Sequence, residues 1–133
     1  MAEFCYHLST GHLFYLPSVT NVPFATCYAG TGSGKNNPDM QGVSNIGPIP
    51  SGWYTIGETR DEPAPFTMVL TPDAGNNMYG RSGFLIHAEN VALPGWASNG
   101  CIVIVDRTKR EQIAKLKDEG VNRLQVIRGP DLD

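Results

Sequence analysis

GFLIHAENVALPGWASNGCIVIV, residues 83–105, is the stretch on which the fold turns. Two short apolar runs, GFLIHAEN and CIVIV, flank a connection rich in Pro, Gly, Ser and Asn. Short apolar runs bounded by such residues read as β-strands rather than helix. In an alternating strand Leu85, His87 and Glu89 share one face, and Phe84, Ile86 and Ala88 share the other. An imidazole inserted in such a strand needs a hydrogen-bond partner or a task. Cys101 opens the second run, directly after Ser98, Asn99 and Gly100.

The same reading extends along the rest of the chain. Residues 3–8 and 12–16 are apolar runs separated by Ser-Thr-Gly, which predicts a β-hairpin. FATCYAG, WYTIGE, FTMVLTP and RLQVIRG predict further strands. Residues 30–52 are rich in Gly, Asn and Pro and predict a long ordered loop, a kind of segment that often carries function. Gly47, Pro48, Pro50 and Gly52 are expected to shape a rigid turn there. One helix is expected over 108–119. Thr108 and Glu111 have capping-box spacing, Ile113 and Leu116 share a face, and Gly120 supplies a left-handed stop. The fold class is mostly β, a sandwich of short mixed strands with one helix.

Composition bounds the function. The chain has 133 residues, with 41% hydrophobic and 17% charged, so one globular domain is expected over 1–133. Residues 128–133 read as a tail. The net charge of −3 gives nucleic acid no general attraction. The basic residues Lys109, Arg110, Lys115 and Lys117 alternate with Glu111, Asp118 and Glu119, which predicts a solvated helix face. No apolar run is long enough for a membrane span. The N-terminal residues lack a basic leader followed by a long apolar block. Synthesis in the cytoplasm without a signal peptide is therefore expected.

Three cysteines, Cys5, Cys27 and Cys101, leave at least one thiol unpaired. Cys5 and Cys27 read as buried small hydrophobes, with a mutual disulfide left open. His7 and His12 lack a ligand set, so no metal and no cofactor are expected. AGTGSGKNN invites a phosphate-loop reading and fails it. Ala29 stands where the pattern needs Gly, and Asn36 where it needs Ser or Thr.

His87 and Cys101 form the constellation with chemical content. Adjacent strands could bring thiol and imidazole within hydrogen-bond reach, and the imidazole would favour the nucleophilic thiolate. The glycine before Cys101 would let a substrate approach the backbone, whose N–H groups at Gly100 and Cys101 could hold an oxyanion. On spacing alone, a single His and a single Cys on strands are more often core residues.

The wider pattern resembles the L,D-transpeptidase (YkuD) family. That family carries a histidine strand followed, after a comparable interval, by Ser-x-Gly-Cys, here Ser98 to Cys101. Residues 28–57, with Gly-Pro-Ile-Pro-x-Gly-x-Tyr, look like the small relatives deployed as type VI secretion effectors. So do Arg-Ser-Gly-Phe before the histidine strand and the Cys-Ile-Val that follows. Two positions depart from the pattern. Asn99 stands where many members have a second histidine, and Ala88 where many have glycine.

The resemblance implies a cysteine enzyme acting on the peptide stems of bacterial peptidoglycan. It implies Cys101 as nucleophile and His87 as base, with Ser98 bracing the turn or the imidazole. Arg81 is a candidate for a stem carboxylate, with a surface cation as the alternative. Tyr79 is a candidate for reaching the oxyanion or lining the cleft, with an exposed aromatic as the alternative; Trp96, with packing as the alternative, and Asn99 are candidates for lining it. It also implies secretion machinery, delivery to the periplasm of a target bacterium, and a cognate immunity protein. Two rivals stand beside it. One is a non-catalytic wall-binding module on the same fold. The other is a different cysteine hydrolase, disfavoured because such enzymes place the cysteine before the histidine at a helix start.

Overall fold

The computed structural model describes residues 2–17, 22–90, 95 and 98–129. In chain order the strands are β1 (Glu3–His7), β2 (His12–Leu16), β3 (Ala25–Thr26), β4 (Tyr28–Ala29), β5 (Gly52–Arg60), β6 (Thr67–Pro72), β7 (Leu85–His87), β8 (Ile102–Val103) and β9 (Arg123–Ile127). One helix, α1 (Arg107–Asp118), lies between β8 and β9.

All nine strands belong to one sheet, in the order β3-β2-β1-β9-β5-β6-β7-β8-β4. The two ends of that order, β3 and β4, are separated in sequence by Cys27 alone. A single residue cannot bridge the width of a flat nine-stranded sheet, since strands stand about 4.8 Å apart. The sheet therefore curls until its edges nearly meet. The expected mostly β fold with one helix is the fold found. Its two faces come from one curled sheet.

The expected hairpin is present, and β1 pairs with β2 with Glu3 opposite Leu16 and His7 opposite His12. Gly11 turns it at a φ of +75°, and a Cβ there would overlap the Cys27 carbonyl oxygen. The Cys27 N–H donates to the Gly11 carbonyl at 2.7 Å. The hairpin turn and the closure of the sheet are thus fastened to each other. Cys5 and Cys27 are both buried thiols, not joined in a disulfide.

Alternation supplies the core. Tyr54 and Ile56 of β5, Ile86 of β7, and Leu124 and Val126 of β9 point inward, joined by Phe4, Tyr6, Leu13, Met68, Ile102 and Ile104. From α1, Ile113 and Ala114 pack against the same cluster, with Leu116 at its margin.

Two expectations about the helix need correction. Its N-cap is Asp106, whose carboxylate accepts from the Thr108 N–H at 2.9 Å, so Thr108 lies inside the first turn. Arg110 is not on a solvated face. It is buried and donates to the carbonyls of Ile104, Val105 and Pro65, tying the end of β8 and the turn before β6 to the helix. Gly120 ends the helix at a φ of +101°, as expected.

The expected loop is ordered by internal contacts. It holds two 3-10 turns, Gly32–Gly34 and Pro38–Met40. Buried Gln41 braces it, donating to the Pro38 carbonyl and accepting from the Ser51 N–H. Tyr54 donates to the Pro50 carbonyl from below.

Candidate active site

The turn before β8 is built around Ser98. Its hydroxyl is fully buried and makes three hydrogen bonds. It accepts from the N–H groups of Gly30 at 2.8 Å and Gly100 at 3.0 Å, and donates to the Cys101 carbonyl at 2.7 Å. One donor and two acceptor sites are the full capacity of a hydroxyl. Of the two expected roles for Ser98, bracing the turn is therefore the one its bonds serve, and none is left for the imidazole. The same bonding takes the Gly100 N–H away from any oxyanion. The Cys101 N–H remains as the turn's donor.

Gly100 is required by space as well as by conformation. Its φ is +130°, and a Cβ would meet the Arg81 guanidinium at 2.5 Å and the Phe84 ring at 2.8 Å. With the turn locked this way, Cys101 is half-buried at the mouth of β8. Its sulfur accepts from the Leu85 N–H at 3.3 Å. Burial pushes the thiol up from its ordinary value, while the Leu85 N–H, its own N–H and the Arg81 charge pull it partly back.

His87 ends β7, the strand beside β8. The two run parallel, with Ile86 level with Ile102 and His87 level with Val103. Cys101 is therefore level with Leu85, two residues short of His87, or about 6–7 Å along the strand. The expected thiol–imidazole hydrogen bond is absent in this resting arrangement. Instead His87 Nδ1 lies 2.8 Å from the Ala88 carbonyl oxygen. A carbonyl only accepts, so Nδ1 carries the proton and Nε2 is left as the basic nitrogen of the neutral ring. Phe84 and Ile86 are buried and Leu85 and His87 half-buried, as the alternation requires.

Thiol and imidazole open into two neighbouring recesses. One, of about 380 Å³, is lined by Cys101, Arg81, Phe84, Ser44, Asn45 and Asn99 among others. The other, of about 370 Å³, holds His87, Glu89, Pro63 and again Asn99. Asn99 is the exposed residue common to both.

The other expected residues fall in different places. Arg81 is buried, which removes the surface-cation alternative. Its guanidinium donates to the carbonyls of Gln41, Gly47, Pro48 and Asn99. Tyr79 is 51% exposed and does not line either recess. Its ring covers Gly42 so closely that a Cβ at that glycine would lie 3.1 Å from it. Trp96 lies outside the described residues.

Glu89 is a site residue that the sequence reading does not single out. Its carboxylate accepts from the Tyr28 hydroxyl at 2.5 Å and the N–H groups of Asn90 and Gly95, each at 2.9 Å. Burial raises its pKa, but these donors and nearby Lys35 outweigh that and hold the carboxyl below its ordinary value. Its place two residues after His87, on the same face, is the available signal. Ser44 and Asn45 offer none, because nothing in the loop's composition says which part of it reaches the thiol.

A thiol in a locked turn and a histidine with one nitrogen tied thus line neighbouring recesses that share Asn99. A family model described as Tlde1 domain matches residues 24–128. The chain belongs to the Tlde1 domain family. This is a family of type VI secretion effectors, L,D-transpeptidase-like in kind. The match covers every strand from β3 to β9, the helix, and both recesses. No curated protein and no solved structure matches the chain.

Proposed function

We propose that this Tlde1-domain protein is a cysteine L,D-transpeptidase and L,D-carboxypeptidase of peptidoglycan tetrapeptide stems. The observation that carries the reading is Cys101, fixed by Ser98 at the wall of a recess, with His87 on the neighbouring parallel strand and its Nδ1 tied to the Ala88 carbonyl. Catalytic hydrogen bonds are often long in free enzymes and tighten with substrate bound.

In this mechanism the thiol proton passes to His87 Nε2. The thiolate of Cys101 attacks the carbonyl of the third stem residue at its L-centre. The Cys101 N–H helps hold the oxyanion. The tetrahedral intermediate collapses, the C–N bond to the terminal D-alanine breaks, and His87 returns the proton to the departing amine. A thioester remains on Cys101. Water, a free D-amino acid or the amine of another stem resolves it, giving trimming, exchange or cross-linking. The effector family favours trimming and exchange, which consume donor stems.

The test is to incubate the protein with disaccharide-tetrapeptide and a D-amino acid and weigh the products. Loss or replacement of the terminal D-alanine is expected, and both Cys101→Ala and His87→Ala should abolish it. Cleavage at the sugar–peptide amide with an intact tetrapeptide would sink the reading. The separation of Cys101 and His87 favours one rival, a wall-binding module without chemistry. That rival requires Cys101→Ala to bind peptidoglycan unchanged and the native protein to leave the stems intact.

The biological setting follows the family. The protein is made in the cytoplasm, passes through the type VI machinery and acts in the periplasm of a target cell. A cognate immunity protein covers the cleft. A periplasm-directed version should kill a host cell unless that partner is co-produced.

A further inference from the structure

The mechanism above assigns thiol activation to His87. The geometry of the resting site points elsewhere. The Arg81 guanidinium is buried against the turn that carries Cys101. Nη2 donates to the Asn99 carbonyl at 3.1 Å, and it stands where a Cβ of Gly100 would be. It stacks on the Phe84 ring, 5.2 Å from its centroid, and lines the same recess as the sulfur. Its other bonds reach Gln41, Gly47 and Pro48 on the far wall. All the accepting groups are neutral carbonyls. Nothing in that hydrogen-bond set neutralises the cation.

We propose that Arg81 is a positioning residue that supplies the fixed positive charge favouring the Cys101 thiolate in the free enzyme and clamps the 41–48 wall against the nucleophile turn. His87 then takes its part once substrate is bound. A permanent cation against a thiol favours the thiolate, because the charged form gains the attraction and the neutral form does not. The thiol's other neighbours support this division. Leu85 from β7 and Cys101 itself contribute neutral N–H groups, which lower the thiol's value without carrying charge. His87 is two residues further along the strand and opens into the other recess, which also holds Glu89. Tyr54, which interacts with Arg81 from beneath, is itself held neutral by burial. Among these groups Arg81 is the one that carries a fixed positive charge toward the sulfur. The guanidinium's fork also explains the residue type. A lysine could supply the charge, but not two nitrogens each bridging two carbonyls.

This inference rests on the thiol being the nucleophile, but its test needs no stem substrate. The rate of iodoacetamide alkylation of Cys101 is followed against pH, by mass spectrometry of the Cys101 peptide. Replacing Arg81 by Gln should raise the midpoint by about one unit, a roughly tenfold loss of rate near neutrality. Arg81→Lys should keep the midpoint within a few tenths of a unit of the native value while lowering Tm. His87→Ala should leave the midpoint unmoved. A native-like midpoint in folded Arg81→Gln would overturn the proposal. So would an upward shift in Arg81→Lys as large as in Arg81→Gln, which marks a packing effect alone. Should Arg81→Gln fail to fold, His87→Ala still decides. A one-unit rise there returns the role to the imidazole. If the alkylation profiles behave as expected and tetrapeptide is left intact, the proposed reaction fails and this assignment stands.

Discussion

Gly100 shows how little freedom the nucleophile turn has. It is held at a φ of +130° with the Arg81 guanidinium occupying the space of a missing Cβ. An L-residue there suffers backbone strain of about 1–3 kcal/mol before the clash is counted. Gly100→Ala should lower stability by at least that much in urea unfolding, and reduce tetrapeptide turnover more than tenfold through the displaced Cys101. Glu89 invites a different measurement. Its carboxyl is held below the ordinary value, so its stabilising effect is fully present above the unfolded-state pKa of about 4.3 and is lost as pH falls through the lower folded-state value. Glu89→Gln should therefore lower Tm at pH 7, with the gap from the native protein closing as the pH approaches 3. A gap independent of pH would mean that the charge is immaterial. At this scale the sequence is partly readable. Cys101 and His87 stand out through their motif, a histidine strand followed by Ser-x-Gly-Cys, since Cys5, His7 and His12 also lie in apolar strands. Arg81's bonding partners are scattered from residue 41 to residue 99, so no local pattern reveals that it is buried.

Helix α1 shows where local rules compete. Thr108 with Glu111 satisfies the capping-box pattern, yet Asp106 caps the helix. Both residues are good caps in isolation. Asp106 prevails because the chain leaves β8 at Val103 and turns at Ile104 and Val105, whose carbonyls are held by Arg110. That anchor fixes where the first helical turn begins. Asp106→Ala should cost about 1 kcal/mol, and Thr108→Ala should stay within about 0.5 kcal/mol of the native protein. Equal losses in denaturant unfolding would contradict the assignment. Ile113 is fully buried on the inner face, so Ile113→Ala should cost about 2–5 kcal/mol. The helix, the hairpin and the long strands β5, β6 and β9 are legible because each carries a periodic pattern over five residues or more. The two-residue strands β3 and β4 are not. Their pairing depends on partners far away in sequence, and FATCYAG reads as one strand where the chain makes two.

The whole molecule depends on that division at Cys27. By sending its flanking residues to opposite ends of the sheet, the chain turns nine short strands into a nearly closed wall around one core. Closure leaves little unpaired edge, the part of a sheet most prone to pair with other chains. It also sets the cleft. Parallel β7 and β8 lie near the closing seam, where β4 completes the sheet beside the nucleophile turn. Gly11 guards the other side of the seam, and Gly11→Ala would drive a Cβ into the Cys27 carbonyl oxygen. A marked fall in Tm is expected.

The family match begins at residue 24, yet β1 and β2 stand between β3 and β9 in the sheet. The span that holds the proposed site is therefore shorter than the sheet that folds around it. Residues 24–128 alone would lack the span that joins β3 to β9, and Phe4, Tyr6 and Leu13 would be gone from the core. The first two strands act as a keystone. They carry none of the proposed chemistry, and without them the arch that carries Cys101 and His87 has nothing to close upon.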